Sequence, residues 1–527
     1  MHSLALVNGK IYVSFKPLKV ASGMLVSSGR VLYVGNSSTA AELAALLNAP
    51  TYDLKGRVVV PGFIDSHLHL DTLGLALSTL DLRGVKSIRE LKEKLRIYAE
   101  KSELTWILGH GWDHELFEEK RWPTRWDLDE AVPSKPVLLT RVCLHAGVMN
   151  TAGLKATGLL EKVVEGVVRD ERGEPTGVVL EEALRLAREE LKKTLSVEDY
   201  AKYIRVAQEH LLSLGITTVG IPGCSLKALK ALVLLKERGE LKIRCRVYLN
   251  PYDEGVNIIE ALSRLGIRCG FGDDYLKIMG IKLFVDGALG ARTAWLSAPY
   301  SDDPSTSGLA VTPPSDLEEF AKLADEAGLQ LAVHAIGDRA VEEALRIYSM
   351  LRNTAKLRHR IEHASLLRED LLKEASRIKP VVVVQPHFVI TDWWAKNRLG
   401  ERVRWLYAFK SMLKSGLPMA FSTDAPVEPA NPWETIYAAI TRGRYEEIPY
   451  YEETAHEVLS LEEALHLYTK GSAYALHEEN ELGSLEPGTH ADFAVLDRDP
   501  LLITDLRGLR EIRVLETYVN GIRVYSA

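Results

Sequence analysis

The chain has 527 residues, of which 46% are hydrophobic and 26% charged, and its acidic residues outnumber Lys and Arg by 72 to 65. This composition is ordinary for a globular protein and excludes the collagen-like, disordered and disulfide-scaffold classes. The net charge of −7 argues against a general nucleic-acid binder, as does the absence of a Lys/Arg-rich run. At about 150 residues per domain, the length predicts roughly three structural units.

Cysteine and glutamine usage indicates the cellular compartment and the kind of organism from which the protein comes. The 4 cysteines form no C-x-x-C pair, which is typical of a reducing compartment. The N-terminus lacks a secretory pattern, and no run of about 18 apolar residues predicts a membrane span. We therefore expect a cytoplasmic protein with no membrane partner. Glutamine occurs only at 208, 330 and 385, and this depletion beside abundant Glu, Lys and Arg indicates a thermophilic source.

Both ends of the chain show short strand patterns. The apolar runs 4–7 and 10–15 flank Asn8-Gly9, which predicts a β-hairpin, and runs 23–26 and 30–34 predict a second strand pair. Near the C-terminus, residues 491–497 and 514–525 have the same character, the latter with another Asn-Gly turn. We predict one composite β-sandwich domain from residues 1–56 and 475–527.

The middle of the chain alternates strands with amphipathic helices, which predicts an α/β fold with a parallel sheet. Eight strands would close a (β/α)8 TIM-type barrel, here assigned to residues 57–70 and 205–474. Residues 71–204 are too long for a plain crossover and predict an inserted α/β domain covering the active site. The expected barrel strands lie near 58–66, 215–222, 241–249, 276–286, 329–334, 358–363, 380–385 and 417–424.

The first of these strands ends in His67-Leu68-His69. Residues two apart on a strand face the same way and lie about 6.6 Å apart, so both imidazoles can converge on one ion. Imidazole suits Zn, Fe, Ni and Cu. The alternative is two histidines that merely cap a strand.

Further polar residues stand at or near the ends of other predicted strands. They are His334, His363 and Asp424, while Lys282 lies inside an apolar strand. A buried lysine is costly unless it is paired, for example with Asp286, or chemically changed. Since the C-terminal ends of barrel strands meet at one mouth, all six side chains could share a site.

Several motifs in the same order resemble one protein family. Residues 61–69, Pro-Gly-Phe-Ile-Asp-Ser-His-Leu-His, resemble the opening metal motif of the amidohydrolase superfamily. Residues 282–294 are similar to the segment typical of its amidohydrolase 3 branch, the YtcJ-like and N-substituted formamide deformylase-like hydrolases. Segments 111–113, 175–177, 360–364, 422–427 and 483–492 also resemble that branch.

The resemblance implies a (β/α)8 barrel with a small β-sandwich and one or two divalent metal ions, usually zinc. It assigns the first metal to His67, His69 and Asp424, and the second to His334 and His363. Lys282 matches the lysine that reacts with CO2 to give a carbamate bridging both ions, which would account for a buried lysine.

The resemblance also implies a reaction. Metal-activated hydroxide would cleave a non-peptide C–N bond, amide or formamide-like, of a small-molecule substrate, with Asp424 as the catalytic proton acceptor. A deaminase or lactonase on the same metal platform, and a non-catalytic binding homologue, remain alternatives. Homo-oligomer formation stays open.

Four residues are candidate substrate contacts. Trp112 and His145 lie in the insert, Glu181 resembles an acid of the family pattern, and His387 follows a predicted barrel strand. The alternative for the Trp-rich segment is that it forms the core of the insert itself.

Overall fold

The computed structural model describes residues 3–143 and 145–527. The chain divides into two compact units, residues 1–70 with 208–527, and residues 71–207. Within the described residues, no helix combines the length and apolar character needed to cross a membrane.

The first unit contains eight parallel strands in sequential order, numbered here β1 to β8 within the barrel. The last strand approaches the first, where the Ser66 amide donates to the Phe421 carbonyl at 3.3 Å. The sheet is thus a nearly closed barrel, and the predicted fold class is confirmed. The strands are β1 Phe63–Asp65, β2 Ile216–Cys224, β3 Arg244–Leu249, β4 Leu276–Phe284, β5 Gln330–Ala335, β6 Arg360–His363, β7 Val381–Val384 and β8 Met419–Phe421.

Helices cover the outside of this barrel, as burial of both faces of a parallel sheet requires. The strand β7 shows the effect on sequence, because all four of its valines are buried. The helices that follow strands β2 to β8 are Leu226–Glu237, Ile258–Arg264, Pro314–Glu326, Asp338–Met350, Glu369–Ile378, Phe409–Lys414 and Pro432–Thr441.

The predicted first barrel strand, 58–66, is two strands. Val58–Pro61 belongs to a sheet of the β-sandwich, and only Phe63–Asp65 belongs to the barrel. The break falls at Gly62, where a Cβ would lie 2.3 Å from the Thr217 hydroxyl. Glycine permits this close approach, so one continuous apolar run serves two sheets.

The β-sandwich combines both chain ends. One sheet has four strands and the other has six. The predicted pairs 23–26 with 30–34 and 514–525 are confirmed as antiparallel hairpins. In sheet order, the four-stranded sheet is Arg30–Gly35, Gly23–Ser27, Ser3–Val7 and Thr51–Asp53, and the six-stranded sheet is Ile522–Ser526, Val514–Val519, Phe493–Leu496, Val58–Pro61, Lys10–Phe15 and Leu18–Ala21.

The predicted hairpin at Asn8-Gly9 is wrong. Ser3–Val7 and Lys10–Phe15 are both strands, but they lie in different sheets of the sandwich. A Cβ at Gly9 would lie 2.2 Å from the Leu54 side chain. The turn therefore passes closely over the buried Leu54 and carries the chain between sheets, although its sequence is that of a hairpin turn.

A buried ion pair joins the sandwich to the N-terminal end of a barrel strand. Arg244, at the start of β3, contacts Asp492 at 2.6 and 3.0 Å and donates to Asn520 at 2.6 Å. Arg244 is completely buried. Removing one partner of such a pair would leave an uncompensated charge, so the contact fixes the sandwich on the barrel.

The second unit, residues 71–207, has a mixed six-stranded sheet and its own hydrophobic core. In sheet order its strands are Leu80–Asp81, Ile107–Trp112, Val137–Arg141, Ala146–Met149, Pro175–Leu180 and Val167–Arg169. Its helices are Ile88–Lys101, Arg125–Ala131, Thr151–Ala156 and Glu181–Thr194, while Leu70–Leu77 and Val197–Ser213 run across its two boundaries.

Candidate metal centre

Six chemically active side chains lie in or just after strands of the barrel. His67 and His69 follow β1, and Asp424 follows β8. Lys282, His334 and His363 belong to β4, β5 and β6. The parallel strands end at one rim, so the fold brings residues distant in sequence to one place.

Three of these side chains form a group with metal-ligand geometry. Ligand atoms of His67, His69 and Asp424 all lie within 4.8 Å of one another. Asp424 Oδ1 is 3.1 Å from His69 Nε2 and 3.3 Å from His67 Nε2. This buried oxygen has no well-aligned hydrogen-bond partner among the described residues. Such convergence without mutual bonding suits three ligands of one cation.

The electrostatics of Asp424 favour its charged form. Burial alone would raise the pKa of this carboxyl, but the contacts with His67 and His69 hold it well below its ordinary value. An ionised carboxylate beside two imidazoles is a donor set that divalent zinc prefers.

The imidazole of His363 links this group to His334. Ring centroids are 5.2 Å apart between His67 and His363, and 4.5 Å apart between His363 and His334. Burial lowers the pKa of His363 to about 3 and that of His334 well below its ordinary value. Both rings are therefore neutral at pH 7, as a metal ligand must be.

The rings of His67, His334 and His363 each have one nitrogen within hydrogen-bond distance of an oxygen atom. His363 Nδ1 lies 2.8 Å from Gln385 Oε1, and His334 Nε2 lies 3.0 Å from the Gly287 carbonyl. His67 Nδ1 lies 2.5 Å from Glu362 Oε2. Because an oxygen acceptor fixes the proton on the nitrogen it contacts, the other nitrogen keeps its lone pair for a ligand bond.

Lys282 is buried beside these groups. Burial lowers the pKa of its amine to about 8. The side chain forms no ion pair within the part of the chain that the structure describes, and its Nζ lies 4.8 Å from the centroid of the Phe284 ring. Lys282 is therefore a buried amine with an accessible neutral form.

The alternative that Asp286 neutralises Lys282 fails. Asp286 instead accepts backbone N–H groups of Trp295, Ile336 and Gly337 at 2.8, 3.0 and 2.8 Å. These bonds hold the segments after β4 and β5 together.

Asp65 performs a similar task at β1. Its carboxylate accepts the backbone amide and the hydroxyl of Thr423, the hydroxyl at 2.6 Å. The residue next to Asp424 is thereby fixed to the end of the strand that precedes His67. Burial raises the pKa of Asp65 to about 6.

Sequence reasoning missed Glu362 and Arg360 as residues of the site. Neighbouring residues in a strand normally face opposite sides, so His363 at the mouth predicts Glu362 on the outer face. His363 has φ of +74°, which breaks this alternation, and Glu362 is fully buried against His67. The clue available in the sequence was the Arg-x-Glu-His segment itself, since two charges within a buried strand require partners.

The structure places Trp112 in the hydrophobic core of residues 71–207. The side chain is completely buried, and its indole N–H donates to the Leu139 carbonyl at 3.0 Å. It packs with Phe117 and Trp122. This position matches the alternative prediction for the Trp-rich segment, in which it forms the core of the insert.

His145 and Glu181 form an exposed pair within the same unit. Nδ1 of His145 lies 3.1 Å from Glu181 Oε2, and both side chains are 72% exposed. They line a surface cavity of about 390 Å³ with one face of the helix Glu181–Thr194.

His387 links two loops of the barrel. Its Nδ1 contacts Glu428, which also accepts a hydrogen bond from Thr391 at 2.7 Å. His387 and Thr391 follow β7, whereas Glu428 lies four residues after Asp424. The histidine is buried in this contact and ties the Asp424 loop to its neighbour.

Comparison with known proteins shows the family of the chain. Residues 50–525 match the profile of the amidohydrolase family, amidohydrolase 3. The chain belongs to the amidohydrolase family. This amidohydrolase is 33% identical to YtcJ of Bacillus subtilis (strain 168), a protein named as an amidohydrolase, over 98% of each chain.

The chain is also similar to a named enzyme and to a protein of known structure. It is 28% identical to the N-substituted formamide deformylase of Arthrobacter pascens over 100% of this chain and 99% of that protein. It is 46% identical to an uncharacterized metal-dependent hydrolase from Pyrococcus furiosus, with a TM-score of 0.83, over 95% of this chain and 100% of that one. The amidohydrolase thus belongs with metal-dependent hydrolases.

Proposed function

We propose that this amidohydrolase is a metal-dependent enzyme that hydrolyses a non-peptide C–N bond, amide or formamide-like, of a small-molecule substrate. The observation that carries the proposal is the convergence of His67, His69 and the unsatisfied carboxylate oxygen of Asp424. The similarity to an N-substituted formamide deformylase supports the bond class.

The donors fit zinc as one or two divalent ions. His67, His69 and Asp424 would hold the first, and His334 and His363 the second, with a carbamate on Lys282 between them. Neutral imidazoles and an ionised carboxylate are the forms that bind such ions. When bound, zinc supplies Lewis acidity and lowers the pKa of water to about 7.

Asp424 is proposed to receive the proton from the attacking water and to deliver it to the leaving nitrogen. Its charged form makes it a proton acceptor. The fixed rings of His67 and His363 keep their orientation while this proton moves.

A substrate panel tests the proposal. The zinc-loaded protein should release formate or another acid from N-substituted formamides and amides, with an amine as the second product. Ammonia release from amino-heterocycles would indicate a deaminase instead, and hydrolysis confined to lactones would also contradict the C–N assignment. Absence of turnover on every C–N substrate would favour the non-catalytic binding alternative.

The carbamate on Lys282 has its own test. The neutral amine attacks CO2; a C–N bond forms as one C=O π bond breaks and its electron pair moves to oxygen. One proton passes from the nitrogen to solvent, so a neutral amine becomes an anionic oxygen ligand. Lys282→Ala should lower kcat about 100-fold or more, because a metal-ligand contribution of several kcal/mol is lost. Added acetate should restore part of the activity, since a small carboxylate can take the place of the carbamate.

The matched control is Lys277→Ala, on the same strand but paired with Glu478. It should keep full activity and show no response to acetate. Growth with ¹³C-labelled bicarbonate should give a carbamate NMR signal in the native protein and none in the Lys282 variant. A native protein without that signal would contradict the carbamate.

We also propose a thermophilic, cytoplasmic protein. Charged side chains form networks, such as Arg368 with the buried Asp338 and with Asp370, and Arg346 with Glu318 and Glu343. Such networks stabilise the folded state more as temperature rises, because the desolvation penalty of the charges falls. All four cysteines are free, in keeping with a reducing compartment.

Calorimetry tests the thermophilic proposal. The Tm should lie above the range of about 45–65 °C in which mesophile domains cluster. A Tm inside that range would contradict it.

A further inference from the structure

A line of buried polar groups runs inward from His67. Glu362 Oε2 is 2.5 Å from His67 Nδ1, and Arg360 grips the same carboxylate with two bonds of 2.7 and 2.8 Å. Arg360 and Glu362 are completely buried, and His67 is 1% exposed.

Arg360 is itself held on both sides. Its Nη2 donates to the Ser66 carbonyl at 2.9 Å, and its Nη1 donates to the Tyr248 hydroxyl at 2.7 Å. The guanidinium also lies over the Tyr248 ring, 4.6 Å from the centroid. The Tyr248 hydroxyl donates in turn to Gln330 at 2.7 Å. The bidentate pair is therefore rigid and joins strands β3, β5 and β6 to the end of β1.

This arrangement does more than neutralise a buried charge. A buried Arg–Glu pair is often no more stabilising than two apolar side chains of similar size. Here the Glu362 carboxylate, besides pairing with Arg360, also contacts the ring of His67 through Oε2. An anionic acceptor at Nδ1 keeps the ring proton there and directs the lone pair of Nε2 toward Asp424, 3.3 Å away.

We propose that Glu362 is a positioning residue that fixes the tautomer and orientation of His67, and that Arg360 holds Glu362 in place. The inference rests on the proposed metal-binding role of His67. It predicts that metal affinity depends on a charge pair that does not itself touch the ion, because a partner of a metal ligand sets its direction and basicity.

The test uses a double variant, because Glu362→Gln alone would leave Arg360 buried without a counter-charge. Arg360→Met/Glu362→Gln removes both charges and leaves His67 beside a neutral amide that does not impose one tautomer. The matched control is Arg246→Met/Glu478→Gln, which removes another buried Arg–Glu pair, 2.8 Å apart, in the N-terminal half of β3. Lys277, which also contacts Glu478, is partly exposed and keeps its contact with water.

The first readout is ¹⁵N NMR of the imidazole nitrogens in metal-free protein labelled at histidine, with His67 assigned by comparison with His67→Gln. The native protein and the control should show His67 protonated at Nδ1 alone. The Arg360→Met/Glu362→Gln protein should show a mixture of tautomers or loss of the Nδ1 proton. An unchanged His67 signal in a folded Arg360→Met/Glu362→Gln protein would overturn the inference.

The second readout is the Kd for Zn²⁺, measured by competition with a chelator. The Arg360→Met/Glu362→Gln protein should bind Zn²⁺ about 10–100-fold more weakly, and the control within about twofold of the native protein. Equal affinity in both double variants would also overturn the inference. A native protein that binds no Zn²⁺ would contradict the proposed function, whereas the tautomer result would still decide the role of Glu362.

Discussion

Asp424→Asn is expected to lower kcat by about 10²–10⁴-fold, the contribution of a positioned proton acceptor. Asparagine has nearly the same shape as aspartate, but its amide cannot accept the proton and is a poorer metal ligand. The loss should therefore appear in kcat and kcat/KM together, while substrate binding by other parts of the site changes little.

Two measurements separate the roles of Asp424. Zinc content reports the ligand role, and kcat at saturating zinc reports the proton-transfer role. The control is Asp325→Asn. Asp325 is a buried carboxylate whose Oδ1 lies 3.0 Å from His359 Nε2, and neither residue belongs to the candidate metal centre. That control should lower the Tm and leave kcat and zinc content unchanged. An Asp424→Asn protein with native kcat at saturating zinc would contradict the proposed catalytic role.

Replacing both His67 and His69 by alanine is expected to abolish zinc binding at the first site and, with it, activity. The two imidazoles supply two of the three ligand atoms that lie within 4.8 Å of one another. Bound metal stabilises the folded state by mass action, about 4 kcal/mol at 1,000 times Kd. The variant should therefore show a smaller rise in Tm than the native protein when zinc is added.

The control for this pair is His359→Ala, which removes a buried histidine of the Asp325 contact. Its Tm should fall, and its zinc content should match that of the native protein. Zinc content by elemental analysis decides the outcome. Native zinc content in the His67→Ala/His69→Ala protein would place the metal elsewhere.

The parts of the fold set by local pattern were predictable. The Val-rich β7 and the alternation of strands with amphipathic helices indicate a parallel barrel, because burial on both faces leaves a continuous apolar run. Two boundaries failed where tertiary contacts prevail over local signals. Gly62 splits one apolar run between two sheets, and Asn8-Gly9 crosses the sandwich although its sequence is typical of a hairpin.

Only the candidate ligands at the strand ends could be predicted from the sequence, and the buried residue that contacts His67 could not. Histidines and an aspartate at strand ends point to one rim by topology alone. Glu362 escaped because the backbone of His363 leaves the strand conformation, which periodicity does not register. Trp112, expected as a substrate contact, lies in a hydrophobic core. An aromatic side chain in a strand packs into a core as readily as it contacts a ligand, and only packing distinguishes the two.

The most direct test of the account is X-ray diffraction from crystals of the zinc-loaded protein, with anomalous data collected above and below the zinc absorption edge. We expect an anomalous peak bounded by His67, His69 and Asp424, and electron density beyond Lys282 Nζ that joins it to the metal. An absent peak at those three side chains, or a peak held by other residues alone, would contradict it.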